Sequence, residues 1–237
     1  MKNFIALVGS ILLIACSSNS QTFTNLSPKE FKSAFEKENA ILLDVRTPQE
    51  INGGMIENAS TIDFYDADFS KKIAKIQKDK TVYVYCKSGG RSSKAAKMLL
   101  ESGQAKVVNL KGGIMAWNTN RMPLTKSTSK KDHSMEELSI SDFDNMLSKN
   151  SLVLADFHTL WCVPCRKMSP IVDELKVEYE SSAEILRIDM DKSELLADSY
   201  NIKAVPTFVL FKDSKEIWRH TGLISKEELE EILKSNI

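Results

Sequence analysis

Four cysteines carry the chemistry of this chain, and their surroundings prescribe three different uses of sulfur. Cys162 and Cys165 stand in Trp161-Cys162-Val163-Pro164-Cys165, which puts two thiols nearly one helical turn apart. Such a pair makes and breaks a disulfide, the first thiol attacking and the second resolving the mixed disulfide. Cys86 heads the short, basic, Gly-rich stretch Cys86-Lys87-Ser88-Gly89-Gly90-Arg91. A loop of that kind turns its backbone N–H groups around the sulfur, which favours a thiolate and cradles an anionic sulfur group. Cys86 is therefore the candidate sulfur-accepting nucleophile, with Lys87, Ser88, Gly89, Gly90 and Arg91 as its cradle. Cys16 ends an apolar run near the N-terminus, the setting of a targeting segment.

These groups need elements to hold them. At 237 residues the chain exceeds the common single-domain size, so two domains are expected. Lys+Arg and Asp+Glu both total 32, so no bulk field favours nucleic acid, and no nucleic-acid partner is expected. Ile41–Val45 and Thr81–Tyr85 read as buried strands, Ala105–Leu110 as another short strand, and Ser27 caps a helix beginning at Pro28. This is an α/β unit with a largely parallel sheet over residues 26–124, and Cys86 lies where a strand runs into a helix near Arg91 or Ser92. Residues 125–137 are polar and cannot bury a core, so they read as a linker. A second α/β unit fills 138–237. A helix near Ser141–Leu147 comes first, then strands at Leu152–Phe157, Glu184–Asp189 and Thr207–Phe211, and a hairpin to Lys215–Thr221. Further helices follow Cys162, span Ser193–Tyr200, and run from the Ser225 cap to about Lys234.

Lys2 and the apolar run Phe4–Ala15 form a segment too short to span a bilayer and fit a secretory signal. Leu13-Ile14-Ala15-Cys16 resembles the lipobox of bacterial lipoproteins, which implies a signal peptide over 1–15, lipid on Cys16 and a tether over 16–25. The chain would then be held at the cell envelope by acyl chains, outside the cytoplasm and facing the periplasm.

Asp44-Val45-Arg46, the Tyr85–Ser92 stretch and Gly112-Gly113-Ile114-Met115-Ala116-Trp117 resemble a single-domain rhodanese, in that order, over about Leu26–Leu124. The resemblance implies a persulfide on Cys86, and the six residues from Cys86 to Arg91 match the sulfurtransferase loop rather than the longer phosphatase loop. A small sulfane-sulfur donor is the implied partner. Asp44 and Arg46 are expected to brace the loop by charge pairing, and Gly54-Met55-Ile56 replaces the family's Gly-His-Ile.

The second half resembles thioredoxin over Leu138–Asn236. Asp156, six residues before Cys162, falls where that family has a proton-transferring carboxylate, and Trp161 precedes the motif. Val205-Pro206-Thr207 resembles its cis-proline turn, and Gly222 a glycine that keeps the binding surface open. The resemblance implies a mixed sheet flanked by helices, with Cys162 attacking, Cys165 resolving, Asp156 assisting Cys165, and Trp161, Val205 and Pro206 receiving the client. Val163-Pro164 departs from the family's Gly-Pro, and His158 stands in place of a tryptophan. Ile185 and Leu186 occupy the stretch where a lysine supports the acid, so Asp156 is expected to lack that support. Zinc would need a second ligand pair, which His133, His158, His220 and Cys86 do not form, so neither metal nor cofactor is expected.

Together these readings describe an α/β protein of two domains, a rhodanese-like sulfurtransferase followed by a thiol–disulfide oxidoreductase acting as a reductant. Protein clients and a membrane electron-relay partner follow from that chemistry. Coupling is expected through attack of Cys162 on a Cys86 persulfide. The rival readings make the first domain a docking module for clients, or the pair a repair system for oxidised cysteines.

Overall fold

The computed structural model describes residues 22–126 and 137–237. The signal segment, Cys16, the start of the tether and most of the linker, including His133, lie outside the described residues. Among the described residues no helix is long and apolar enough to cross a membrane.

The first domain is built on a five-stranded parallel sheet in the order β1-β5-β4-β2-β3. Its strands are β1 (Thr24–Leu26), β2 (Ile41–Asp44), β3 (Ser60–Thr61), β4 (Val82–Tyr85) and β5 (Val107–Leu110). The run Val82-Tyr83-Val84-Tyr85-Cys86 is buried throughout because helices cover both faces. Side chains alternate across the strand, so Val82, Val84 and Cys86 join one apolar cluster while Tyr83 and Tyr85 join the other. The first cluster lies under α3 (Phe69–Ala74) and α4 (Gly90–Glu101). The second lies under α1 (Pro28–Phe35), α2 (Pro48–Ile51) and α5 (Gly113–Thr119). Thr24 and Asn25, expected to belong to the tether, are instead part of β1, which pairs with β5 through Thr24↔Val108 and Asn25↔Asn109. The Asn25 carboxamide also accepts from Asn109 at 2.8 Å, so a polar ladder holds an edge strand that apolar patterning does not mark. Thr125, placed in the linker, is likewise engaged, bridging to Met55.

The second domain has a four-stranded mixed sheet in the order β7-β6-β8-β9. Here β6 (Leu152–His158) runs parallel to β7 (Glu184–Asp189) and antiparallel to β8 (Thr207–Lys212), and β9 (Lys215–Thr221) closes the sheet. Asp213 and Ser214 both adopt positive φ, 49° and 64°, which is the two-residue turn that matches strand twist in a hairpin. One face packs on α6 (Ile140–Lys149) and α8 (Glu194–Ser199), the other on α7 (Val163–Glu178) and α9 (Lys226–Lys234). The fold is thus two α/β domains, the first on a parallel sheet and the second on a mixed one.

Candidate functional site

Cys86 leaves the end of β4 and enters α4 through Gly89, whose φ of 103° turns the chain so that its N–H reaches the Cys86 Sγ at 3.1 Å. The Ser92 hydroxyl lies 3.4 Å from the same sulfur. Burial alone would push this thiol up, but donors from Ser92, Gly89 and Ser88 outweigh it and hold the thiol below its ordinary value. The loop keeps its shape because its carbonyls are tied down elsewhere: the Ile114 and Met115 amides donate to the Cys86 and Lys87 carbonyls at 2.9 and 3.0 Å. Gly113 allows that approach, since a Cβ there would lie 2.4 Å from the Cys86 carbonyl oxygen. Lys87, Ser88 and Gly90 form an exposed rim, with Cys86 itself 1% exposed beneath it.

Arg91 is held by Glu50, a residue that motif reading passes over. Both guanidinium ends donate to its carboxylate at 2.7 Å, and this pairing draws the Glu50 carboxyl down to about 2. The expected brace from Asp44 and Arg46 therefore acts at one remove. Arg46 grips the buried Asp44 carboxylate at 2.6–3.0 Å and donates to the Glu50 and Gly54 carbonyls at 3.1 and 2.9 Å. It fixes the segment that presents Glu50, and Glu50 fixes Arg91. The Thr47-Pro48-Gln49-Glu50 capping box is the local signal that Glu50 is oriented, though not toward what.

Cys162 is the N-cap of α7, and its Sγ accepts the Cys165 amide at 3.1 Å. The two sulfurs are joined as a disulfide with Cα atoms 5.3 Å apart. Pro164 sits in the first turn, where its missing N–H leaves no bond unmade. Both cysteines share an apolar cluster with Val205, whose peptide bond to Pro206 is cis. Trp161 packs between this cluster and that of the first domain, and its indole N–H donates to Asp191 at 2.8 Å.

Asp156 is wholly buried on β6, and burial raises its carboxyl to about 7. The expectation that this acid lacks a basic neighbour is corrected. Arg187, its register partner on β7, donates from Nε at 3.3 Å and opposes the rise, while Asp173 adds to it. Arg187 also donates to the Ser169 hydroxyl at 2.6 Å, and Ser169 donates to the Cys165 carbonyl at 3.4 Å. A chain of polar contacts thus joins the buried acid to the resolving cysteine. Strand register carries this pairing, and register cannot be read from motif spacing alone.

The two domains meet over the dithiol. The Val163 amide donates to the Ser60 hydroxyl at 3.0 Å, the Val205 amide to the Lys75 carbonyl at 3.1 Å, and the Gln77 carboxamide to the Val205 carbonyl at 3.1 Å. Cys162, beside this contact, is 3% exposed. A cavity of about 220 Å³ remains beside the contact, lined by Ser60, Gln77, Val163, Pro164 and Gly222 among others. The cradle of Cys86 makes its hydrogen bonds with Glu50 and α5, so this contact brings the dithiol to β3 and to the segment after α3 instead.

Comparison with known proteins divides the chain at the same place. Residues 27–120 match the family model described as Rhodanese-like domain, and residues 134–235 match that described as Thioredoxin. A curated thioredoxin of Staphylococcus aureus is 34% identical over 97 residues, covering 41% of this chain and 92% of the relative. The solved N21Q mutant thioredoxin from Halobacterium salinarum NRC-1 is 34% identical, covering 43% of this chain and 90% of that one, with a TM-score of 0.39. Mitochondrial thioredoxin 3 from Saccharomyces cerevisiae, in its oxidized form, is 30% identical, covering 43% and 94%, with a TM-score of 0.39.

Proposed function

The chain belongs to the thioredoxin family through its second domain and carries a rhodanese-like domain ahead of it, and we propose that it reduces protein disulfides while Cys86 receives sulfane sulfur. It is a thiol–disulfide oxidoreductase, and thiol or disulfide proteins are its clients. In the proposed cycle the Cys162 thiolate attacks one client sulfur, and the other client sulfur leaves as a thiolate. Cys165, giving its proton to Asp156, then attacks Cys162, releasing the second client thiol and closing the Cys162–Cys165 bond. Two electrons pass from the pair to the client. The observation that carries this reading is Cys162 at the N-terminus of α7, in one cluster with Cys165 and Val205 of the cis-proline turn. The helix N-terminus favours the attacking thiolate.

At the first domain, the Cys86 thiolate takes the outer sulfur of a donor such as thiosulfate, forming a persulfide and releasing sulfite. The loop amides and the lowered Cys86 thiol support this step. Sulfur passing onward to the dithiol would turn the persulfide and two thiols into one Cys86 thiol, one disulfide and hydrogen sulfide. With Cys86 bound among its own domain's donors and Val163, next to Cys162, held by Ser60, that relay needs the domains to part, and the two chemistries are proposed to run separately when they are closed. We also place the chain at the envelope through acylated Cys16, with a membrane relay restoring the dithiol. Alkyne-palmitate labelling that persists in Cys16→Ala removes the anchor.

Insulin reduction and thiosulfate sulfurtransfer, assayed on the same preparation, test the assignment. Cys162→Ser abolishes the first and Cys86→Ser the second, and loss of both in either variant refutes separate sites. A reduction potential near about −270 mV marks a reductant, whereas one near about −120 mV marks an oxidant and overturns the direction of the cycle.

A further inference from the structure

Lys75-Ile76-Gln77, the start of the segment joining α3 to β4, approaches the second domain in the manner of a bound peptide. Its Lys75 carbonyl accepts the Val205 amide at 3.1 Å. Two residues on, the Gln77 carboxamide donates to the Val205 carbonyl at 3.1 Å. A strand added in parallel would engage one residue through a carbonyl and, two positions later, through an N–H, whereas an antiparallel one would make both bonds through a single residue. Here the first bond is main-chain and the second is supplied by a side-chain amide, so both polar groups of Val205 are satisfied from outside its own domain.

The Gln77 side chain also fills the floor of this groove. Its Oε1 lies 3.2 Å from where a Cβ on Gly222 would stand, and Gly222 is tied by its amide to the Pro206 carbonyl at 2.9 Å. Gln77 is 5% exposed. Its own carbonyl accepts the Gln104 carboxamide at 2.8 Å, so the segment is held in shape by the first domain before it meets the second. Charge complementarity flanks the contact. Lys75 Nζ reaches Asp191 at 2.9 Å and the Met190 carbonyl at 3.1 Å, and Lys71 reaches Glu194 at 3.3 Å.

We propose that Lys75–Gln77 is an internal ligand of the client groove, and that protein clients enter by displacing it with an extended segment of like design. The kind of partner that fits is an extended segment presenting a free carbonyl to the Val205 amide and a carboxamide or free main-chain N–H to the Val205 carbonyl. A side chain no bulkier than glutamine must lie over Gly222. The inference rests on the reading of the Val205–Pro206 turn as the place where clients bind. The dithiol is then closed to folded proteins while the domains are together, and opening of the pair sets the rate of client reduction.

Two readouts on the reduced full chain test it. The first is alkylation of Cys162 by a 5-kDa polyethylene glycol maleimide, followed by peptide mapping that separates Cys162 from Cys86 and Cys16. The second is the rate of insulin reduction. Gln77→Ala removes the carboxamide while leaving the main-chain bond to Gln104, and the pair Lys71→Glu with Lys75→Glu reverses the flanking charges on the surface. Each is expected to raise both rates about tenfold. Equal alkylation rates in wild type and both variants overturn the internal ligand, whatever the insulin assay gives. Faster alkylation without faster insulin reduction keeps the ligand and sinks instead the reading of the groove as the client site.

Discussion

Replacing Asp156 with asparagine should make the second domain more stable at alkaline pH while removing a pH dependence that wild type has. The carboxyl is buried and titrates near about 7 in the folded protein, against an ordinary value of 3.8. The native state therefore holds a proton that the unfolded chain releases at lower pH. Stability is full below about pH 4, declines as pH rises, and levels off once the folded carboxyl has ionised near about pH 7. Three pH units at roughly 1.4 kcal/mol each set a ceiling of about 4 kcal/mol on that loss. Arg187 is the counter-charge on Asp156, and an asparagine oxygen can still accept from its Nε, so about 1–2 kcal/mol is given back when the charge is removed. The net gain at pH 8.5 is about 2–3 kcal/mol. The assay is calorimetric unfolding of the oxidised full chain at pH 5 and pH 8.5, following the transition of the second domain. The difference between variant and wild type should grow by about 3 kcal/mol across that interval. A difference that stays constant between the two pH values refutes a proton held by Asp156.

Three further outcomes follow from the same contacts. Arg187→Gln removes the group that opposes the rise at Asp156, so carboxyl titration followed by carbon-13 NMR should move above 7; an unmoved titration would show that Arg187 does not feel that charge. Glu50→Gln breaks the bidentate grip on Arg91 and should cost about 1–2 kcal/mol above pH 4.5. That difference should disappear as pH falls toward about 2, where wild type also loses the charge, and a penalty independent of pH would contradict the ion-pair account. Gly113→Ala forces a Cβ to 2.4 Å from the Cys86 carbonyl and should cost about 3 kcal/mol and most sulfurtransfer, with insulin reduction intact; retained sulfurtransfer would mean the loop does not depend on α5.

The two α/β domains were legible because their central strands are short apolar runs broken only by one aspartate each, as at Ile41–Val45 and Leu152–Phe157, and are followed by polar turns. The cysteines were legible because their neighbours set their chemistry locally. What escaped was carried by pairing in space. β1 is a three-residue strand held partly through an asparagine ladder, and β3 has two residues, too few for a period-two signal. Arg187 faces Asp156 only because β6 and β7 pair in one register, and a shift of one residue would send it to the opposite face. Glu50 was passed over, because its capping box with Thr47 is local while its grip on Arg91 spans 41 positions. The contact of Lys75 and Gln77 with Val205 joins segments more than a hundred residues apart, through one main-chain bond and one carboxamide that no local pattern marks.

Trp161 gives this molecule an optical gauge of its own. Its indole is wedged between the apolar clusters of the two domains and tied to Asp191, whereas Trp117 is buried within the first domain and Trp218 stacks on His220 within the second. Separation of the domains would move one emitter from an apolar surface into water and leave the other two where they were. The emission of that single ring should then shift to the red, so the opening rate can be followed by stopped-flow fluorescence in the unlabelled protein while a client is being turned over.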